Sequence, residues 1–486
     1  MPAKKALIIG AGIAGIATAI RLAAKGYAVE VFEANDYPGG KLAEIKQGGF
    51  RFDAGPSLLT MPQYVDELFI LAGKEPSQYF LYQKLDIICK YFYEDGTVLT
   101  AYADEEKFIN EVENLTGEGK ALRQYVKNSS RIYELTDHLF LQRSLDQLKT
   151  FFTWGAFKSL LHFGEIDTFR TMHQANNRFF ADKRLQQYAD RYATYNGSNP
   201  YQAPATLNVI PHLEQHFGAY FPKGGMYEIA NCLVGLAESL SVKFHYRSKV
   251  DEIILKDKKA AGVRVNGEEI DADLVVSNMD VWFTYNKLLS KYPQPEKVLK
   301  HERSSSALIF YWGVKRQFPE LDLHNIFFSS DYQAEFEHIW QKRAVYRDPT
   351  VYINITSKLK QDDAPPGCEN WFVMINVPSN KDQDWNRLIA EAKINILKKL
   401  SHILKTDVGG LIVSESILDP RSIESRTSSY QGSIYGTSSN SRYAAFLRHS
   451  NWSSKIKNLY FCGGSVHPGG GIPLCLLSAK IVSEMV

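Results

Sequence analysis

Two glycine-rich segments, one near each end of the chain, hold the residue types that could do chemistry. The first is Gly10-Ala11-Gly12-Ile13-Ala14-Gly15. In a dinucleotide-binding turn the first glycine permits the tight bend, the second lets the backbone approach a pyrophosphate, and the third lets a helix pack closely on a strand. Gly10, Gly12 and Gly15 fit those three demands, and Ala14 inside the same turn is grouped with them as a cofactor contact. Glu33 follows at the distance of about 20 residues where a carboxylate accepts hydrogen bonds from an adenosine ribose. An acid at that position repels a 2′-phosphate, so NADP is disfavoured. The second segment runs Cys462-Gly463-Gly464-Ser465-Val466-His467-Pro468-Gly469-Gly470-Gly471-Ile472-Pro473. Its glycines let backbone lie against a planar ligand, and a helix beginning near Ile472 would turn its positive N-terminal end toward that ligand.

These residues work only if the right elements hold them. Ala6–Ile9 reads as a buried parallel strand, Ile16–Ala24 as a helix closed by Gly26, and Tyr27–Phe32 as a second strand ending at Glu33. That is a βαβ unit, the context in which a GxGxxG spacing becomes specific. Further on, Phe221–Met226 leads into a helix from Tyr227 to Leu240 and a strand over Val242–Tyr246. Asp273–Ser277, followed by Asn278, and Leu459–Cys462 read as two more strands. Ser305–Gly313 and the alternating Asn370–Val377 suggest a second sheet, one that could floor a long tunnel.

Composition narrows the classes. At 486 residues the chain is long enough for two or three domains, and a net charge of +2 argues against a nucleic-acid partner. The five cysteines are scattered without CxxC spacing, which excludes a disulfide framework and a structural zinc site; no metal is expected. Reduced thiols fit a cytoplasmic setting. Met1–Lys5 runs directly into the first strand, so no signal peptide is expected, and the apolar stretch Ala6–Ile20 is too short to span a bilayer.

Beyond Glu33 come Pro38-Gly39-Gly40-Lys41 and Phe52-Asp53-Ala54-Gly55-Pro56-Ser57, and the middle of the chain holds Phe180–Gln187 and Tyr195-Asn196-Gly197-Ser198-Asn199-Pro200-Tyr201. With the two glycine segments, these motifs resemble the bacterial-type carotenoid (phytoene) desaturases of the amine oxidase and phytoene desaturase superfamily, over essentially the whole chain. The subgroup it most resembles acts on acyclic or 1-hydroxylated carotenoids at the 3,4-position. Lys41 stands where that superfamily usually has Arg, which keeps the charge and loses the bidentate fork. Val466 and Gly470 also depart slightly from the C-terminal signature.

The resemblance implies an α/β fold, with a Rossmann-type FAD-binding domain and an α+β substrate domain. The FAD domain is expected to be discontinuous, at residues 1–75, 205–282 and 415–486, with 76–204 and 283–414 forming the substrate domain. Gly40, Lys41, Gly55, Pro56, Val250, Gly464, Gly471 and Ile472 join the N-terminal residues as implied FAD contacts. The implied reaction is desaturation, with hydride passing from an allylic CH2 to FAD. His467, inside the flavin-facing motif, is the candidate proton acceptor. Tyr195, Asn196, His324 and Tyr352 are candidate partners for a terminal hydroxyl. With one dinucleotide fingerprint and no second, oxygen or a membrane quinone is the expected electron acceptor. A carotenoid must be drawn from a bilayer, so the protein is expected to lie peripherally on the inner face of the membrane. Leu145–Phe163, with Phe151, Phe152, Trp154 and Phe157 between Lys149 and Lys158, is the expected docking helix. The rival readings are a phytoene desaturase proper, a flavin-dependent carotene isomerase or saturase, an amine oxidase, and a prenyl-lipid escort protein without flavin. The intact glycines and Glu33 argue against the last.

Overall fold

The computed structural model describes residues 3–136, 166–441 and 448–486. Leu145–Phe163, expected as the docking helix, lies outside the described residues.

A five-stranded parallel sheet runs, edge to edge, Leu459–Phe461, Leu274–Ser277, Lys5–Ile9, Ala28–Phe32 and Lys243–His245. These strands are short and apolar because both faces are covered. Alternate residues serve the two layers: Ala6, Ile8, Val31 and Val276 pack against helices Ile13–Ala24, Glu228–Ser239 and Ile472–Met485. Leu7, Ile9, Phe32 and Val275 turn to the other side. There they meet a three-stranded antiparallel sheet of Val250–Lys256, Lys259–Val265 and Glu268–Asp271. Strand order reverses about Lys5–Ile9 and Leu274–Ser277, and open α/β sheets place their ligand crevice at such a switch point, beyond the carboxyl ends of the strands.

The second sheet has seven strands, in the order Ile412–Leu418, Ser306–Val314, Glu369–Val377, Val351–Asn354, His324–Phe327, Ile87–Phe92 and Val98–Tyr102. All pairs are antiparallel except His324–Phe327 with Ile87–Phe92. Period-two alternation again gives it two faces. Phe310, Trp312, Trp371 and Val373 face the helix Trp385–Ile403, whose Trp385, Leu388, Ile396 and Leu400 complete a dry core. The other face turns Ile309, Phe372, Met374, Tyr352 and Ile326 toward a cavity. Strand Ile412–Leu418 crosses the boundary expected at 415 and belongs wholly to this sheet, because its backbone pairs with Ser306–Val314.

The hairpin Glu44–Gln47 and Phe50–Asp53 fastens the two halves together. Arg51 bonds Glu44 at 2.9 Å, Asp53 at 2.7 Å and Asp363 at 3.1 Å. Asp53 also accepts the backbone N–H groups of Met226 and Tyr227 at the start of helix Glu228–Ser239. Asn370, on the seven-stranded sheet, donates to the Arg51 carbonyl at 2.6 Å. The side chains of Asp53 and Asp363 are fully buried; Asp363 also pairs with Lys360 at 2.8 Å, so removing Arg51 would leave the buried Asp53 carboxylate without its cation. Arg51→Leu is therefore expected to cost about 3–5 kcal/mol. A denaturant-unfolding midpoint equal to that of the parent would refute this.

Candidate functional site

The two glycine segments meet at the carboxyl ends of the parallel strands, and Asn278 stands between them. It follows Ser277, the last residue of its strand, and its Nδ2 donates to the Cys462 carbonyl at 3.0 Å. A Cβ added at Gly12 would lie 2.5 Å from Asn278 Oδ1, and one at Gly463 would lie 2.5 Å from Asn278 Nδ2. A Cβ at Gly15 would strike the Gly10 carbonyl oxygen, so the third glycine marks where the helix closes on its strand. The glycines are thus required by packing on Asn278 as well as by any ligand.

These turns border a cavity of about 560 Å³. Gly10, Gly12, Ala14, Glu33, Gly40 and Lys41 line it from the N-terminal side. Gly55, Pro56, Val250, Gly464, Gly471 and Ile472 line it from elsewhere in the chain. Gly15 stays behind this wall, packed on Gly10. Two helices begin at the cavity, Ile13–Ala24 after Gly12 and Ile472–Met485 after Gly471. Neither has a side-chain cap or an acid in its first turn. Their first N–H groups are therefore left for a ligand, and both dipoles favour negative charge there.

Glu33 is buried and held in place: one oxygen accepts from Ala11 N at 2.7 Å, the other from Asn35 N at 2.9 Å and Asn35 Nδ2 at 3.0 Å. Two carboxylate oxygens offer about four acceptor positions, so capacity remains for ribose hydroxyls. Lys41 Nζ donates to the carbonyls of Ser433 and Ile434 at 3.3 and 3.0 Å, leaving one of its three protons free. Burial pulls its ammonium below the usual lysine range, and Asp280 opposes that shift. Buried Arg448, pulled down to about 10 by desolvation, donates to the carbonyls of Tyr435 and Gly464 and fixes the C-terminal loop. Phosphate-facing helix ends, a ribose carboxylate, one lysine and glycines without Cβ fit FAD.

The same cavity continues onto the seven-stranded sheet, where Ile309, Phe372 and Met374 make an apolar floor. Polar groups cluster along one side. Arg191 and Glu214 form a buried pair at 2.9 Å, with Tyr192 OH donating to Glu214 at 2.7 Å. Tyr195 OH donates to Glu214 and accepts from Arg191 at 3.0 Å. His324 Nδ1 lies 2.7 Å from Tyr352 OH, which lies 2.7 Å from Ser57 Oγ. Burial, reinforced by Arg191, pushes the His324 imidazole down to about 3, so it is neutral in ordinary buffers.

Of the four hydroxyl-partner candidates, Tyr195, His324 and Tyr352 line the cavity and Asn196 does not. Asn196 instead bonds Ser439 and Arg448. His467, expected as the proton acceptor, is not among the residues that line the cavity. Its N–H donates to the His449 carbonyl at 2.9 Å and its own carbonyl accepts from Asn451 at 2.8 Å. Those bonds hold the turn against residues 449–451, while Gly464 and Gly471 on either side face inward. Asn278, Arg191 and Ser57 were not singled out by sequence reasoning. Asn278 carried a signal as the polar residue ending a buried strand at the switch point, and Ser57 as the end of the Phe52–Ser57 motif; Arg191 carried none.

A dinucleotide cradle opening into a cavity with an apolar floor is the arrangement of a flavin-dependent oxidoreductase. The model for the family described as flavin containing amine oxidoreductase matches residues 13–486, and the chain belongs to that family; FAD is its cofactor. The 1-hydroxycarotenoid 3,4-desaturase of Flavobacterium sp. (strain P99-3) is 51% identical over 484 residues, 99% of each chain. The 4,4'-diapolycopene oxygenase of Methylomonas sp is 36% identical, covering 99% of this chain and 98% of that one. In fold, an oxidoreductase from Methanosarcina mazei superposes with a TM-score of 0.64 at 15% identity, over 99% of this chain and 100% of that one.

Two substitutions check the cradle. Gly12→Val places methyl groups against Asn278 and into the phosphate position, so the protein should purify without flavin absorbance. Glu33→Gln keeps the shape and loses the charge; FAD affinity should fall by about 1.5–3 kcal/mol, the range for hydrogen bonds to charged groups. Flavin content in Gly12→Val equal to the parent's would exclude this cradle as the FAD site.

Proposed function

We propose that the protein is a FAD-dependent carotenoid desaturase acting on a 1-hydroxylated substrate at its 3,4-bond. The observation that carries this reading is the single cavity that joins the dinucleotide cradle to the apolar face of the seven-stranded sheet. The relationship to the Flavobacterium enzyme points to the same substrate class. When bound, FAD supplies the two-electron acceptor needed to take the elements of H2 from a –CH2–CH2– unit. The chain's own residues do the rest. Gly10, Gly12, Ala14, Gly40, Gly464, Gly471 and Ile472 provide the close-fitting backbone, with Gly15 setting the helix. Glu33 takes the ribose, Lys41 the negative charge, and Gly55, Pro56 and Val250 complete the enclosure. Ile309, Phe372 and Met374 exclude water and bind polyene by burial, worth roughly 25 cal/mol per Å² of apolar surface.

Residues 1–75, 205–282 and 415–486 are read as the FAD-binding part, except that strand Ile412–Leu418 goes with the other sheet. Residues 76–204 and 283–414 are read as the substrate part. Among the described residues no helix is long and apolar enough to cross a membrane. A carotenoid dissolves in bilayers, so the protein is placed on the membrane surface at the cytoplasmic side, where quinone or oxygen accepts its electrons.

The test supplies a 1-hydroxycarotenoid in liposomes, anaerobically with a quinone, or with oxygen, or with NAD+. The expected product has lost H2 and gained no oxygen, with turnover on quinone or oxygen alone. A product that has gained oxygen would move the chain to the oxygenase reading of the Methylomonas relative. Turnover on NAD+ alone would sink the proposed electron route.

A further inference from the structure

Two buried nitrogens on cavity-lining side chains have no hydrogen-bond partner among the described residues: Arg191 Nε and His324 Nε2. The Arg191 guanidinium is already committed to Glu214 and Tyr195 and lies over the rings of Tyr91 and Tyr192. His324 differs, because only one edge of its ring is used. The residue is 4% exposed, and a buried unpaired ring nitrogen costs about 1–3 kcal/mol unless something fills it.

The neighbours fix which tautomer is present. Asn354 Nδ2 donates to the Leu323 carbonyl at 3.1 Å, which identifies that atom as the amide nitrogen. The same Nδ2 lies 3.3 Å from His324 Nδ1. A donor facing Nδ1 means that Nδ1 accepts, from Asn354 and from Tyr352 OH at 2.7 Å. Ser57 then donates to Tyr352. The proton of the neutral ring therefore sits on Nε2, and the free edge is a buried, unpartnered hydrogen-bond donor on a side chain that borders the cavity, on the side where its polar groups cluster.

Position matters as much as chemistry. In a substrate hydroxylated at C1 and desaturated between C3 and C4, the oxygen is only a few bonds from the reacting carbons. A group that reads it must lie close to the cofactor cradle. The chain His324–Tyr352–Ser57 is tied to that cradle, since Ser57 directly follows Gly55 and Pro56. Resting on the desaturase reading above, we infer that His324 Nε2–H donates to the substrate hydroxyl and is the residue that selects a hydroxylated over an unmodified carotenoid end. Tyr352, Asn354 and Ser57 are positioning residues, which hold the ring in the tautomer that can donate.

The test compares kcat/KM for a 1-hydroxycarotenoid and for the same skeleton with hydrogen in place of the hydroxyl. It uses the FAD-loaded parent, His324→Leu and His324→Gln, with flavin absorbance checking each fold. The parent is expected to favour the hydroxylated substrate. His324→Leu should lose about tenfold on that substrate and little on the other, the size of one lost hydrogen bond. His324→Gln, which retains an N–H, should keep part of the preference. Equal losses on both substrates in His324→Leu would mark the residue as structural and overturn the inference. So would an unchanged preference in His324→Leu, or a parent that treats the two substrates alike, a result needing no variant. Conversion of neither substrate by the parent would overturn the desaturase reading itself, and the inference with it.

Discussion

The site depends on the Asn278 side chain being wedged between two glycine loops that lie more than 400 residues apart in sequence. Its amide sits so close to Gly12 and Gly463 that neither position can carry a side chain. Its strand pairs on one side with Lys5–Ile9 and on the other with Leu459–Phe461, so the two loops are carried to it by sheet register. From this follow the two uncapped helix starts at one cavity. Each N-terminus carries about half a positive charge, and the two of them with Lys41 favour an anion at the glycine turns, beside the carboxylates of Glu33 and Asp280. Backbone dipoles already fixed by the fold need no reorganisation when a charged ligand arrives.

The rest of the cavity obeys the opposite rule. The seven-stranded sheet spends one face on Trp312, Trp371 and their helix, and is left with an apolar face that no other layer of the described chain covers completely. Charges near such a surface must be matched, because an unpaired buried ion is expensive. Arg191 and Glu214 meet that demand by pairing with each other and with two tyrosine hydroxyls. His324 meets it by staying neutral. The cavity thus offers uncapped helix ends and an ammonium at the glycine turns, and paired charges with a neutral imidazole along the sheet.

Local spacing in the sequence was enough to reveal the first part. The Gly10–Gly15 turn, Glu33 and the helix at Ile472 depend on contacts within a short stretch, and their spacing is visible as written. His467 shows where that stops. A glycine-rich loop can turn any of its residues inward, and the bonds that hold the backbone at His467 come from His449 and Asn451, outside the motif. The strand across residue 415 was hidden for a similar reason: Ile412–Leu418 alternates like any strand, and only pairing with Ser306–Val314 decides its sheet. The imidazole of the cavity, His324, lies on a strand that enters the sheet beside Ile87–Phe92, far away in sequence. Its type could be read in advance; the partners that fix its proton, Tyr352 and Asn354, could not.

An apolar ligand raises a problem that the hydrophobic effect cannot solve. Burial is non-directional and proportional to area, so a long polyene in an apolar groove gains nearly the same free energy when displaced by one carbon pair. Reaction at one bond requires a fixed register, since a displacement of about 1 Å can cost on the order of 100-fold in rate. An end group with a polar atom offers the only sharp marker on such a molecule. A site built around one hydrogen bond to that marker gains discrimination as well, because the ligand lacking it leaves a buried donor unpaired. One neutral donor beside the cradle, in surroundings where the other charges are paired, can supply both. A charged group there would bring its own desolvation cost and attract water into a cavity that has to stay dry.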